Sequence, residues 1–263
     1  MEEGDETVLA QLLKLEDYIS RYEIDPYRYS SQFIRMKKKQ WEEIKSQFEQ
    51  AIATEEDKLG LINNAKQAFL DKIFLSQLVW ASSTIRQISE LDQRYKQDSL
   101  LKYFLQSFPD NCFLMYFPVF QIKKASVQGE IIFIRPTDIV CLTALEGEED
   151  NVLVGGKGNF WLERNSRGER KIVAPTIALE RTEKIVHSIL RENDLHLPIR
   201  KTLLNRKGFI HAHELSREWE CVDKRNYDSW FQKMRLQPSP VKYLQLKAAK
   251  VLMATCKTEA VDR

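Results

Sequence analysis

Residues Gly129–Glu146 read GEIIFIRPTDIVCLTALE. β-Branched and apolar residues fill two arms, and polar residues gather between them. The pattern predicts a strand over Glu130–Arg135, a tight turn at Pro136-Thr137-Asp138 and a second strand over Ile139–Leu145. Just upstream, Cys112–Ile122 (CFLMYFPVFQI) is another apolar run that reads as a strand. These strands follow a long helical region and precede a clear helix, which predicts a small α/β core.

Working toward the N-terminus, Leu9, Leu12, Leu13, Leu15, Ile19 and Tyr22 have helical spacing and predict a helix over Val8–Tyr22. Asp25-Pro26 ends it, because the residue before a proline disfavours the α region. Ser31 is the expected N-cap of the next helix, which carries Ile34, Trp41, Ile44, Phe48 and Ile52 on one side. The basic run Arg35-Met36-Lys37-Lys38-Lys39 reads as a solvated helix face. Thr54 and Asp57 resemble a capping box for a third helical region reaching about Gln106. That region is either one long arm or breaks near Ser82-Ser83. Its heptad spacing is imperfect, which favours a bundle over a regular coiled coil.

Working toward the C-terminus, Gly147–Gly158 reads as a loop, acidic first and glycine-rich second. Phe160-Trp161-Leu162 and Lys171-Ile172-Val173 form an expected hairpin. Pro175 then opens a helix ending near Asn193, since proline is favoured in the first turn. Strands are expected at Ile199–Leu204 and Phe209–His211, a strand entering a helix over Cys221–Phe231, and an amphipathic helix over Pro240–Cys256. Three units follow: a helical region (1–106), an α/β domain (107–210) and a C-terminal extension packed on the core (211–263).

The chain has 263 residues, 43% hydrophobic and 30% charged, which suits a globular protein with an ample core. Lys+Arg 40 against Asp+Glu 38 gives no strong global steering toward nucleic acid, so any basic surface must be local. Cys112, Cys141, Cys221 and Cys256 form no CxxC pair and read as reduced thiols. The acidic start (Glu2, Glu3, Asp5, Glu6) lacks the basic and apolar regions of a secretory signal, and no apolar run approaches about 18 residues. The expectation is a cytoplasmic protein without a membrane span.

Several constellations carry chemistry on paper. Val154-Gly155-Gly156-Lys157-Gly158 fails the phosphate-loop pattern, with Asn151 at the first glycine position and Gly158 where Ser or Thr is needed. His211 and His213 would share a strand face beside Glu214, but only Cys221 lies near as a further ligand. No Gly-x-Ser-x-Gly elbow or Cys-His nucleophile signature is present. Glu130, Glu146, Glu148, Glu149 and Asp150 are oxygen ligands for a divalent metal if they converge. Strand alternation turns Glu146 away from Thr143 and Leu145. Arg181, Lys184 and Arg191 lie on the helix after Pro175, with Arg200 and Lys201 beyond, as candidate phosphate contacts.

The Glu130–Leu145 hairpin resembles the nuclease-related domain (NERD) family, whose fold is similar to restriction endonucleases. Members place an acid on the first arm and Glu-x-Lys on the second, after a Gly-Pro-x-Gly-like turn. Here the turn is Arg135-Pro136-Thr137-Asp138, and Ala174-Pro175 is similar to a downstream Asn-Pro that precedes a helix. Registered on Pro136, Glu130 falls at the family's acid, Thr143 at its Glu and Leu145 at its Lys. The resemblance covers roughly residues 100–209, and Cys221–Phe231 is similar to C-terminal extensions of bacterial members.

The resemblance implies a small mixed sheet of restriction-endonuclease-like type, with a long N-terminal helical region and a C-terminal helical extension. It implies a vestigial site (Glu130, Thr143, Leu145, Glu146) in a module that binds nucleic acid or a protein partner without cutting. Two alternatives are kept. One is an active nuclease using Mg or Mn at Glu130 and displaced acids. The other is an interaction protein that assembles as a homo-oligomer through its helical region.

Overall fold

The computed structural model describes residues 9–51, 55–212, 215–216, 218–236 and 239–263. The Thr54 cap and the His213-Glu214 part of the expected histidine pair lie outside the described residues.

The chain enters as a strand, β1 (Gln11–Leu15), not as the helix that its spacing predicts. All five residues, Gln11 and Lys14 among them, are buried, so the strand is covered on both faces of the sheet and shows no polar-apolar alternation. Periodicity alone cannot separate such a short run from a buried helix. A single turn, α1 (Arg21–Ile24), is capped reciprocally by Ser20 and Glu23. Next come α2 (Pro26–Ala51) and α3 (Glu55–Trp80). Ser31 therefore lies inside α2: Pro26 already sits in the first turn, where its missing N–H costs nothing. Trp41 and Phe69 bring α2 and α3 together, with ring centroids 5.2 Å apart.

The helical run does break at the serines. Ser82 and Ser83 turn their hydroxyls back onto the carbonyls of Leu78 and Val79 and end α3. The short strand β2 (Gln87–Ile88) and α4 (Ser99–Ser107), capped by Asp98, complete this half.

Cys112–Ile122 divides into β3 (Phe113–Tyr116) and β4 (Val119–Ile122), which belong to different sheets. Phe117 between them has φ 48°, an uncommon conformation for a bulky residue, and it turns the chain. β4 pairs with β5 (Ala125–Gln128). The expected hairpin follows as β6 (Ile131–Ile134) and β7 (Ile139–Ala144).

The predicted loop at Gly147–Gly158 contains a strand, β8 (Val152–Gly155). Its pairing with β9 (Phe160–Asn165) holds it, and β9 pairs in turn with β10 (Gly168–Val173). Then come α5 (Pro175–Glu192), β11 (Ile199–Asn205), β12 (Phe209–Ala212) and β13 (Trp219–Asp223). The chain closes with α6 (Tyr227–Arg235), α7 (Tyr243–Ala254) and β14 (Val261–Asp262).

The main sheet has the order β1-β3-β6-β7-β11-β13. β1 runs parallel to β3, β3-β6-β7 is an antiparallel meander, and β7, β11 and β13 run parallel. The fold is thus mixed α/β. One face (Ile132, Ile134, Ile139, Cys141, Leu203) packs on Leu179, Val186 and Ile189 of α5 and on Ala248 and Leu252 of α7. The other (Ile131, Phe133, Val140, Leu142, Leu204) packs on α3, α4 and α6 through Leu78, Phe104 and Trp230. Burying each large side chain contributes roughly 1.5–3 kcal/mol, so the sheet anchors the whole chain.

The second sheet, β10-β9-β8-β12, shares the first core through Leu153, Trp161 and Ile210. A buried amide chain joins the two sheets. Asn205 Nδ2 donates to Asn151 Oδ1 (3.0 Å), and Asn151 Nδ2 donates to Glu163 Oε1 (3.1 Å). No helix among the described residues is long and apolar enough to cross a membrane.

Candidate functional site

The β6–β7 register pairs Ile131 with Leu142. One step further along the ladder, Glu130 stands opposite Thr143, on the face that α5 covers. Side chains alternate along β7, so Thr143 and Leu145 share that face. Leu145 packs against the core below α5.

Glu130 is half-buried. Its backbone N–H donates to Thr182 Oγ1 (2.9 Å), and that hydroxyl donates onward to the Ala178 carbonyl (2.9 Å). Burial pushes the Glu130 carboxyl above the usual carboxylate range; the Thr143 hydroxyl and the Arg181 charge pull it back only in part. Thr143 Oγ1 is close enough to favour the ionised acid, yet it is buried with no partner in good hydrogen-bonding geometry.

The remaining acids go elsewhere. Glu146 pairs with Arg206, whose guanidinium stacks 3.7 Å from the Tyr103 ring centroid. Glu148 pairs with Arg167 (2.9 Å), and Asp150 with Lys224 (2.8 Å), with Glu149 further off (3.9 Å). Among the described residues no three His, Cys, Asp or Glu side chains converge as metal ligands. Mg²⁺ requires near-octahedral oxygen coordination, commonly one or two carboxylates with waters. The β6–β7 pair supplies one carboxyl, biased by burial toward its neutral form, beside a threonine and a leucine, so an ion there would be held mostly by waters.

Of two charged residues near this face, Glu183 was missed by the sequence reading and Lys201 was expected only as a phosphate contact. Glu183 lies four residues after Leu179 and three before Val186, both buried, so it falls on the inward stripe of α5. Lys201 pairs across the sheet with Cys141 and stacks 4.7 Å from the Trp219 ring centroid. Burial raises the Cys141 thiol pKa, and Glu183 and Glu130 add to the rise while Lys201 opposes it. A charged residue inside an apolar helix stripe was the available signal for Glu183.

The basic residues of α5 separate into two places. Arg181 and Lys184 line one groove with Lys123, Ile177, Ile185 and Ile189, about 750 Å³ in volume. Arg181 also donates to the Gln128 carbonyl (3.3 Å), which turns it toward the Glu130 end of β6. Glu180 and Glu192 border the same groove. Arg191 lies in a different depression with His187, His196 and Pro198. Arg200 does not join the α5 cations; it pairs with Asp138, which Arg135 also holds.

No family model matches this chain, and no solved structure matches it. A stretch of 41 residues is 58% identical to an RNA 2',3'-cyclic phosphodiesterase of Geobacillus stearothermophilus. That stretch is 16% of this chain and 13% of the phosphodiesterase, so it carries neither the fold nor the activity of that protein across.

Proposed function

We propose that this chain is a nuclease-related module of restriction-endonuclease-like type that no longer cuts phosphodiesters and binds nucleic acid along α5. The module would act in the cytoplasm. The observation that carries the reading is the pairing of Glu130 with Thr143. The NERD resemblance assigns carboxylates to both positions and a lysine to 145, and a phosphodiester cut needs metal or cations to stabilise its developing charge. Here a lone carboxyl faces a hydroxyl, and Leu145 fills the lysine position. The cation that acts on Glu130, Arg181, belongs to the α5 groove with Lys184 and Lys123. Such a groove keeps the electrostatic part of nucleic-acid binding after the chemistry is gone.

The test incubates the purified chain with single- and double-stranded DNA and RNA in Mg²⁺ or Mn²⁺, and measures binding to the same substrates by anisotropy. Salt-sensitive binding without cleavage is expected. Cleavage that disappears in Glu130→Ala would overturn the reading in favour of an active nuclease, and absence of binding at low salt would remove its nucleic-acid part.

A further inference from the structure

We propose that the outward face of the β10-β9-β8-β12 sheet is a stacking platform for single-stranded nucleic acid, separate from the α5 groove. The register defines this face. Trp161, Leu153 and Ile210 point into the core, so their neighbours on each strand point out. One outward row runs Lys171, Leu162, Val154, His211, and the next runs Glu169, Arg164, Val152, Phe209. Phe160 and Val173 pair at the end of the hairpin.

Phe160 is 54% exposed and Val173 65% exposed, so the end of the hairpin presents apolar side chains to solvent. Each aromatic ring has a cation beside it. Lys171 Nζ lies 4.1 Å from the Phe160 centroid, and the Arg225 guanidinium lies 5.9 Å from the Phe209 centroid. Two strand spacings and four residues separate the rings, about 16 Å on the sheet lattice.

Charge selects the occupant. Lys157 and Lys207, in the turns that lead into Phe160 and Phe209, have no ion-pair partner among the described residues, and neither does Lys171. The acid on the face, Glu169, is neutralised by Arg164. One exposed ring (Phe160) and one half-buried ring (Phe209), flanked by unpaired lysines, suit bases with their phosphates, because any base offers a π-face to stack while cations track the backbone. A four-stranded sheet that presents rings in this way accommodates unstacked bases, which a duplex withholds.

The probe is a fluorescein-labelled oligouridylate of about twelve nucleotides, within the usual site size of such surfaces. Phe160→Ala and Phe209→Ala should each weaken binding roughly 5- to 150-fold with an unchanged melting temperature. Phe160→Leu, which keeps apolar area but loses the ring, should weaken it as well, and Phe160→Trp should not. Arg181→Ala combined with Lys184→Ala should leave this ring dependence in place, which separates the platform from the α5 groove. Binding indifferent to both phenylalanines, wild-type binding by Phe160→Leu, or an equal loss for a duplex of the same length would overturn the platform. So would concentration-dependent dimerisation abolished by Phe160→Ala in a chain that binds no oligouridylate.

Discussion

Lys14 Nζ donates to Thr258 Oγ1 at 2.7 Å, joining the first strand of the chain to its last residues. The ammonium also donates to the Tyr18 carbonyl (2.7 Å) and to Glu23 Oε1 (2.6 Å), so a fully buried lysine has all three protons used. The segment after α7 is thereby strapped across the N-terminal half. Lys257 N donates to Val119 O (2.7 Å), Glu259 N to Asp17 O (2.7 Å), and Val261 pairs with Ile88. The first and last described segments are thus joined.

Lys14→Ala should cost about 3–5 kcal/mol, because removing one member of a buried pair strands its partners. Lys14→Met should cost less, since it keeps the apolar stem and refills the volume. Chemical denaturation of both variants checks the order. Equal, small losses would mean that solvent already reaches this lysine.

Two carboxyls should give opposite pH dependences. Burial favours the neutral form of Asp138, but the hydrogen bonds and charges of Arg135 and Arg200 prevail and hold its pKa below 3.8. Its contribution to stability is present above that unfolded value and is lost as pH falls through the lower folded one. Asp138→Asn should therefore destabilise at pH 7, with the difference shrinking in acid. Burial raises Glu130 above 4.5, so its contribution is present below 4.5 and is lost as pH rises through the folded value. Glu130→Gln should stabilise the chain at neutral pH and cease to do so in acid. Melting temperatures from pH 3 to 8 test both signs, and a destabilised Glu130→Gln at pH 7 would contradict the assigned direction.

The β6–β7 hairpin was legible because a proline turn separates two β-branched arms, and antiparallel pairing then puts Glu130 beside Thr143 without further information. Helix α5 was legible from Pro175 and the spacing of Ile177, Ile185 and Ile189. β1 was not, because a strand buried on both faces has no alternation to read. β8 was hidden among glycines; Gly155 is needed there because a Cβ would lie 2.2 Å from the Trp161 ring. In the candidate site, Arg191 shared a helix with Arg181 and Lys184 but not a groove. Lys201, expected among the phosphate contacts, was placed beside Cys141 only by the pairing of β11 with β7.

Gly208 tests the junction between the two sheets. A Cβ at this position would lie 2.0 Å from Asn151 Oδ1 and 2.2 Å from the Asn151 carbonyl oxygen, and backbone cannot give way as a flexible side chain can. Gly208→Ala should therefore cost about 1–3 kcal/mol or more through overpacking. Gly60, inside α3, has nothing within 4 Å of the same atom. Gly60→Ala should stabilise by about 0.5–1 kcal/mol through helix propensity. A neutral Gly208→Ala in urea titrations would show that the Asn151–Asn205 junction is loose.

The salt dependence of binding bears most directly on the α5 groove. Each phosphate neutralised by a protein cation releases condensed counterions, so the logarithm of affinity falls linearly with that of salt concentration. Arg181 and Lys184 share one groove, and the slope should shrink by about 0.7–0.9 for each phosphate contact removed. The double substitution Arg181→Ala, Lys184→Ala should thus reduce it by roughly 1.4–1.8 and weaken binding similarly across sequences. Arg191→Ala should leave the slope as it is, because Arg191 lies in a separate depression. Loss of Arg181 also removes the cation that partly offsets burial at Glu130, so Arg181→Ala alone should raise that carboxyl further. Carboxyl chemical shifts followed through the titration separate this local effect from the loss of phosphate contact. An unchanged salt slope in the double variant, with binding otherwise intact, would place the nucleic acid on another surface.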